Sequence, residues 1–382
     1  MSQDSAPPWS ARLATAAIFF VNGAGTGGWV VRIPEVQQHL GLSTGTLGLM
    51  LLGVPLGALV SMPLAGVLVN RHGSKPVSLI SAFAFLAVLP LPVLAPAPGW
   101  LGLALVLMGA TSGALDLAMN AQAVTVEARF SRPIMSSFHA LFSLGGLAGS
   151  GVGGLLAHAG VSPPVHLSGA AVTLAGVALV SLPRFLPPTF ETLGTGGPAF
   201  ALPSRSLLVL GVMAFCVLMG EGAMADWTAV YLRQVMHADP GLAAAGYSAF
   251  SLAMAAGRLA GDSLAIRLGQ VGLVRVGGLV AALGLGSALV LGGVGLSITG
   301  FGLVGAGLSI IFPNLVSAAA KVKDQAPGTA IAAISTVGYT GFMAGPPIIG
   351  FAAEFLTLRG ALGLVVLSGL IIATLAGVIR RP

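Results

Sequence analysis

Between Arg132 and Arg184 the chain contains no Asp, Glu, Lys or Arg, and the same holds from Pro76 to Leu115 and from Val276 to Ala320. No soluble domain needs uncharged apolar runs of that length. A soluble domain is about 25% charged, whereas this chain of 382 residues is 7% charged and 55% hydrophobic. So few charges cannot cover a water-facing surface, and the bilayer is the solvent these runs require. The formal charge of +6 does not point to nucleic acid, because the basic residues are scattered and 3 Tyr and 4 Trp offer no stacking surface. The single cysteine, Cys216, excludes an intrachain disulfide and a multi-thiolate metal site, and is expected to be a packed core thiol.

A spanning helix takes about 20 mostly apolar residues. Cutting the chain at charges, Pro-Gly breaks and polar clusters yields spans at 12–31, 45–69, 76–95, 100–126, 133–158, 164–186, 205–232, 243–266, 271–291, 295–320, 327–354 and 360–379. The expected fold is therefore an all-α integral membrane protein of twelve transmembrane helices. Residues 1–11 form a polar tail without the pattern of a cleaved signal. Residues 187–204, rich in Pro, Gly and Thr, read as a linker between six-helix bundles at 12–186 and 205–382.

Charge placement tests the count. Twelve spans put both termini on one side. That side then holds Arg12, Arg71, Lys75, Arg129, Arg132, Arg184, Arg205, Arg267, Arg275, Lys321, Lys323, Arg380 and Arg381. The other side holds Arg32, Arg233 and Arg359, and Arg258 falls inside a span. Such a bias makes the terminal side cytoplasmic, so the expected location is the inner membrane with both termini inside.

Shifting the chain by 196 residues superimposes Leu68, Arg71 and Gly73 on Leu264, Arg267 and Gly269, Gly109 on Gly305, and Gly145, Gly149 and Gly154 on Gly341, Gly345 and Gly350. A constant offset across separate helices predicts two pseudo-symmetric six-helix bundles with a substrate site between them near mid-membrane. The glycines also carry small-xxx-small spacing, which lets helix backbones approach closely.

The loop after the second span reads Gly66-Val67-Leu68-Val69-Asn70-Arg71-His72-Gly73-Ser74-Lys75. It resembles the G-x-L-x-D-R-x-G-x-K/R signature of the major facilitator superfamily, with Asn70 in the acidic position. The second copy is degenerate, with Ile266 before Arg267. The resemblance implies the major facilitator fold and a cytoplasmic gate built on Asn70, Arg71, Gly73, Lys75 and Arg267. Longer stretches are similar to the fucose-permease-like branch and to YbjJ-type inner-membrane proteins. These are Leu115-Asp116-Leu117-Ala118-Met119-Asn120, His139 to Gly145, Asp226-Trp227, Gly257-Arg258, Phe312-Pro313 and Gly345-Pro346-Pro347. The resemblance implies a proton-coupling role for the carboxylate of Asp116 and suggests sugar-like cargo.

An ionisable group at mid-bilayer costs at least about 2.5–3.5 kcal/mol on insertion scales, so it needs a partner, a wet cavity or a function. Asp116 shares one face with Ser112 and Asn120 at i−4 and i+4 in a helix otherwise lined by leucines. It is either a proton carrier or an acid bonded across helices to His139 or Arg258. Asn22, Asn120, His139, Glu221, Asn314 and Tyr339 are candidate cavity residues. Trp227 is either a cavity platform for a sugar ring or an interfacial anchor. Glu221 is favoured over Asp226 for the cavity. Arg258 and Asp262 stand at i, i+4, so they either neutralise each other or belong to the gate.

No phosphate-binding loop, H-E-x-x-H or paired Cys/His spacing, or G-x-S-x-G elbow occurs, so ATP-driven transport, a metal centre, an organic cofactor and hydrolysis are not expected. The expected activity is secondary, proton-coupled transport of a small polar solute by alternating access, in a monomer embedded in lipid. An exporter of hydrophobic or cationic compounds is the alternative within the class, and a membrane enzyme or sensor the alternative outside it.

Overall fold

The computed structural model describes residues 8–190, 204, 207–322 and 327–380, and only the backbone of Phe190, Asp262, Pro327 and Arg380. Lipid offers backbone amides no hydrogen-bond partner, so long apolar runs close their bonds within each segment as helices. All regular structure among the described residues is helical. Ten stretches are long and apolar enough to cross a bilayer. Two continuous helices each contain one non-helical residue, Gly269 and Thr357. Dividing the first there, ending the second before Thr357 and adding the shorter apolar helix Gly363–Ile379 gives twelve: α1 Trp9–His39, α2 Thr44–His72, α3 Ser74–Leu94, α4 Pro98–Glu127, α5 Met135–His158, α6 Pro163–Arg184, α7 Leu208–Gln234, α8 240–268, α9 270–291, α10 Val294–Ala319, α11 327–356 and α12 Gly363–Ile379.

Local chemistry sets the starts. Pro98, Pro163 and Pro240 each open a helix, where a missing N–H costs nothing. Ser43 accepts from the Thr46 amide at 3.1 Å, and Asp239 from the Gly241 amide at 2.8 Å, each satisfying a first-turn donor. Glu127, at the end of α4, accepts from the amides of Ile134 and Met135 at 2.6 Å and so caps α5.

The first helix departs from its expected limits. It runs to His39, so Arg32, expected in an outer loop, is buried inside it. Its guanidinium donates to His166 Nδ1 at 3.0 Å and to the Val161 carbonyl at 3.0 Å, and it pairs with Glu35 at 2.7 Å. Full pairing is what makes a buried charge tolerable. The expected linker lies outside the described residues from 191 to 203.

The backbone itself repeats. Gly73 (φ 85°, ψ 164°) and Gly269 (φ 66°, ψ 161°) hold the same conformation, one that only glycine adopts without strain, at the predicted offset. Gly41 and His237 are likewise both at positive φ, 61° and 51°. Close approaches repeat too: a methyl on Gly109 would strike the Val54 carbonyl, and one on Gly305 the Phe250 carbonyl. The α2–α4 crossing thus has its counterpart in α8–α10.

The halves meet along α5 against α8 and α2 against α11, with α1 touching α7 and α8. Several hydrogen bonds join them: Ser150 to Ser248 at 2.7 Å, Gln234 to Gln37 at 2.8 Å, His158 to Asp239 at 2.9 Å, and Ser43 and the Gly45 amide to Glu354 at 2.7 and 3.0 Å. All of these lie toward the face away from the termini, called here the far face. The molecule is therefore closed on that face.

Candidate substrate and coupling site

Glu221 stands at the midpoint of α7, thirteen residues from Leu208 and thirteen from Gln234. Arg258 Nη2 of α8 lies 3.8 Å from its Oε2, and both side chains keep about a fifth of their surface open, 20% and 19%. Nη1 of the same guanidinium donates to Ser143 Oγ of α5 at 2.8 Å and to the His139 carbonyl at 3.4 Å. Arg258, expected either to pair with Asp262 or to belong to the gate, is held here by Glu221 and α5. The side chain of its expected neighbour Asp262 lies outside the described residues.

The His139 ring sits edge-on to Phe19 of α1 at 5.3 Å. Tyr247 and Ser251 of α8 lie over Gly146, where an added methyl would stand 3.5 Å from the Tyr247 ring and 3.1 Å from Ser251 Oγ. Sequence reasoning did not pick out Ser143, Tyr247 or Ser251. The signal was present for Ser143, which follows His139 by one helical turn.

A second polar group stands on α4. Asn120 Nδ2 donates to the Asp116 carbonyl at 2.8 Å and to Asp116 Oδ1 at 3.2 Å, leaving the rest of the carboxylate open. Tyr339 of α11, in the other half, is 43% exposed. Counted along their own helices at 1.5 Å per residue, Asp116, Tyr339 and Arg258 lie about 15–20 Å from the terminal face. By the same count Glu221 shares that depth, whereas Asn120 and His139 stand nearer the terminal face, at about 10 and 6 Å.

Other candidates sit elsewhere. Trp227 is fully buried and its indole N–H has no partner, so the ring packs in the core instead of offering a face to a cavity. Asn22 is buried with Oδ1 unpartnered. Asn314 turns its amide onto the Ile310 carbonyl of its own helix at 2.7 Å. On the terminal face, Asn70, Arg71 and Arg267 are exposed, while Lys75 Nζ reaches the Pro183 carbonyl at 2.7 Å and that of Phe185 at 3.2 Å. Lys75 thereby ties α3 to the end of α6, where the helix dipole favours a cation. The described residues hold no His/Cys/Asp/Glu cluster that fits a metal ion.

Two seams related by the internal repeat, twelve helices and charged side chains in the interior between pseudo-symmetric halves define a multi-pass membrane transporter. The Major Facilitator Superfamily profile matches residues 15–346, and the chain belongs to that family. It is 36% identical over 375 residues to an uncharacterized MFS-type transporter of Yersinia pestis, covering 98% of this chain and 97% of that one. Its fold is similar to that of a bacterial homolog of the human lysosomal transporter Spinster, inward-facing and occupied, with TM-score 0.74, 15% identity, and 98% and 97% of the two chains covered. It is also similar to a variant of the E. coli fucose:proton symporter FucP, with TM-score 0.65, 15% identity, and 97% and 98% covered.

Proposed function

We propose that this protein is a proton-coupled secondary transporter that moves a small polar solute across the inner membrane as a monomer, with the terminal face cytoplasmic. The bundles at 12–186 and 205–382 rock about the central layer, and the far face is the one closed here. The observation that carries the reading is Asp116: a partly buried carboxylate deep in α4, held by Asn120 of the same helix. A carboxylate so placed can take a proton from one side and lose it to the other as the halves rock. Glu221, His139 and Asn120 offer hydrogen bonds to a hydroxylated solute, and Arg258 is the one interior cation among the described residues near them. The fold shared with a fucose:proton symporter is consistent with sugar-like cargo. Asn70, Arg71, Gly73, Lys75 and Arg267 form the cytoplasmic gate in this scheme, and Asn22, Trp227 and Asn314 shape the walls from behind.

Uptake of labelled sugars, sugar acids and cationic drugs into proteoliposomes, with and without an imposed proton gradient, tests this. Gradient-stimulated uptake of a sugar-class solute supports the reading. Movement of cations or hydrophobic drugs alone would replace it with the exporter reading, which three interior acids, Asp116, Glu221 and Asp226, would equally suit.

A further inference from the structure

The two seams end in chemically different versions of one device. In the α5–α8 seam, Asp239 caps α8 through the Gly241 amide, and its Oδ1 also meets His158 Nδ1, at the end of α5, at 2.9 Å. In the α2–α11 seam, Ser43 caps α2 through the Thr46 amide, and its hydroxyl donates to Oε1 of Glu354, at the end of α11, at 2.7 Å. The same Oε1 accepts from the Gly45 amide at 3.0 Å. Residues 43 and 239, 45 and 241, and 158 and 354 are each 196 apart, the offset of the internal repeat.

The packing below them obeys the same relation. A methyl on Gly154 would meet Gly241 and Ala244, and one on Gly350 would meet Gly45 and Gly48. In each seam, then, small residues bring the backbones together, and the capping residue of one half is bonded to the helix end of the other. Neither contact can survive separation of the halves at the far face.

We propose that Ser43–Glu354 and His158–Asp239 are the gate of the far face, a pair of cap latches that must both release for the site to open there. The proposal rests on the alternating-access reading for its purpose, but the latches themselves are read from the contacts. The Ser43–Glu354 latch carries the larger share. It is a charge-assisted bond placed at a helix N-terminus, where the dipole favours an anion. Both latches lie at exposed residues, where ion pairs contribute little, and what sets Ser43–Glu354 apart is the second bond that Oε1 accepts from the Gly45 amide.

The test uses the full chain with Cys216→Ala, in nanodiscs. Nitroxide labels at Gln38→Cys and Leu356→Cys report the far face, and labels at Arg132→Cys and Lys321→Cys report the terminal face. Ser43→Asp keeps a good cap but sets a second carboxylate against Glu354. The fraction with a long far-face distance should rise about tenfold, the scale of one charge-assisted bond. Adding Glu354→His recreates the Asp–His pair of the other seam and should restore the closed distribution. Asp239→Asn, which also retains a capping residue, should open the far face more weakly. An unchanged far-face distribution in Ser43→Asp combined with Asp239→Asn overturns the proposal. If the far face opens while terminal-face distances stay fixed, the latches stand and the alternating-access reading falls.

Discussion

Arg258 and Glu221 approach to 3.8 Å near the middle of the membrane, while the same guanidinium holds Ser143 of the opposite half at 2.8 Å. One cation therefore spans the divide on which the transport cycle turns. Removing either partner leaves the other charge uncompensated in a low-dielectric layer.

Arg258→Ala should lower transport at least tenfold and reduce thermal stability, whereas Arg258→Ala combined with Glu221→Gln should be less damaging than the two losses summed. Groups in one network couple by about 0.5–3 kcal/mol. A double-mutant cycle on melting temperature and initial uptake rate measures the coupling, and strict additivity would mean that the pair does not act as a unit.

Asp116→Asn should abolish accumulation driven by a proton gradient and leave counterflow exchange running, because exchange needs no net proton movement. Both assays use the same proteoliposomes. Intact accumulation in the variant would remove Asp116 from the coupling step.

Gly109→Val and Gly305→Val should each destabilise the protein by about 1–3 kcal/mol, the usual cost of overpacking. Their added methyls would run into the carbonyls of Val54 and Phe250. Gly151→Ala, where a methyl meets nothing within 4 Å, is the matched control. Thermal denaturation in detergent should separate the two variants from it cleanly.

Gly73→Ala and Gly269→Ala should cost about 1–3 kcal/mol apiece, since each forces a side chain into a region where any residue but glycine is strained. Equal penalties at the two sites would bear on the backbone equivalence reported above. A penalty at Gly73 only would point to the Lys75 tie to α6 as the source.

The pH dependence of the far face follows from Asp239. The Gly241 amide, then His158, with Arg233 of α7 also facing it, hold this carboxyl below its ordinary value of 3.8. A depressed carboxyl contributes stability above the unfolded value, and that contribution fades as pH falls through the lowered folded value. The difference in melting temperature between the wild type and Asp239→Asn should be full at neutral pH, persist to about pH 4, and shrink below it. A difference that instead grew on acidification would reverse the assignment.

Much of the fold was legible because lipid simplifies the problem. Uncharged runs cannot hide, and the offset that aligned Gly73 with Gly269 and Gly109 with Gly305 reflects real backbone equivalence. The end of α1 was misjudged because Arg32 reads as a loop residue until His166 and Val161, far along the chain, are known to pair with it. Trp227 and Arg258 illustrate the limit in the site. Position along a helix gives depth, but the direction a side chain faces depends on how twelve helices are rotated about their axes. Hydropathy carries little of that, since the cavity wall and the tight helix–helix seams are both built from small and polar residues.

The Arg32 knot has a consequence for synthesis. Its partners lie on a segment made much later: His166 follows by 134 residues. At about 5–20 residues per second, the ribosome delivers that partner roughly 7–27 seconds after Arg32 emerges. Through that interval α1 has only Glu35, one turn on, to offset the charge. The final seating of the first helix is then expected to be completed after insertion, when α6 arrives with His166 and Val161.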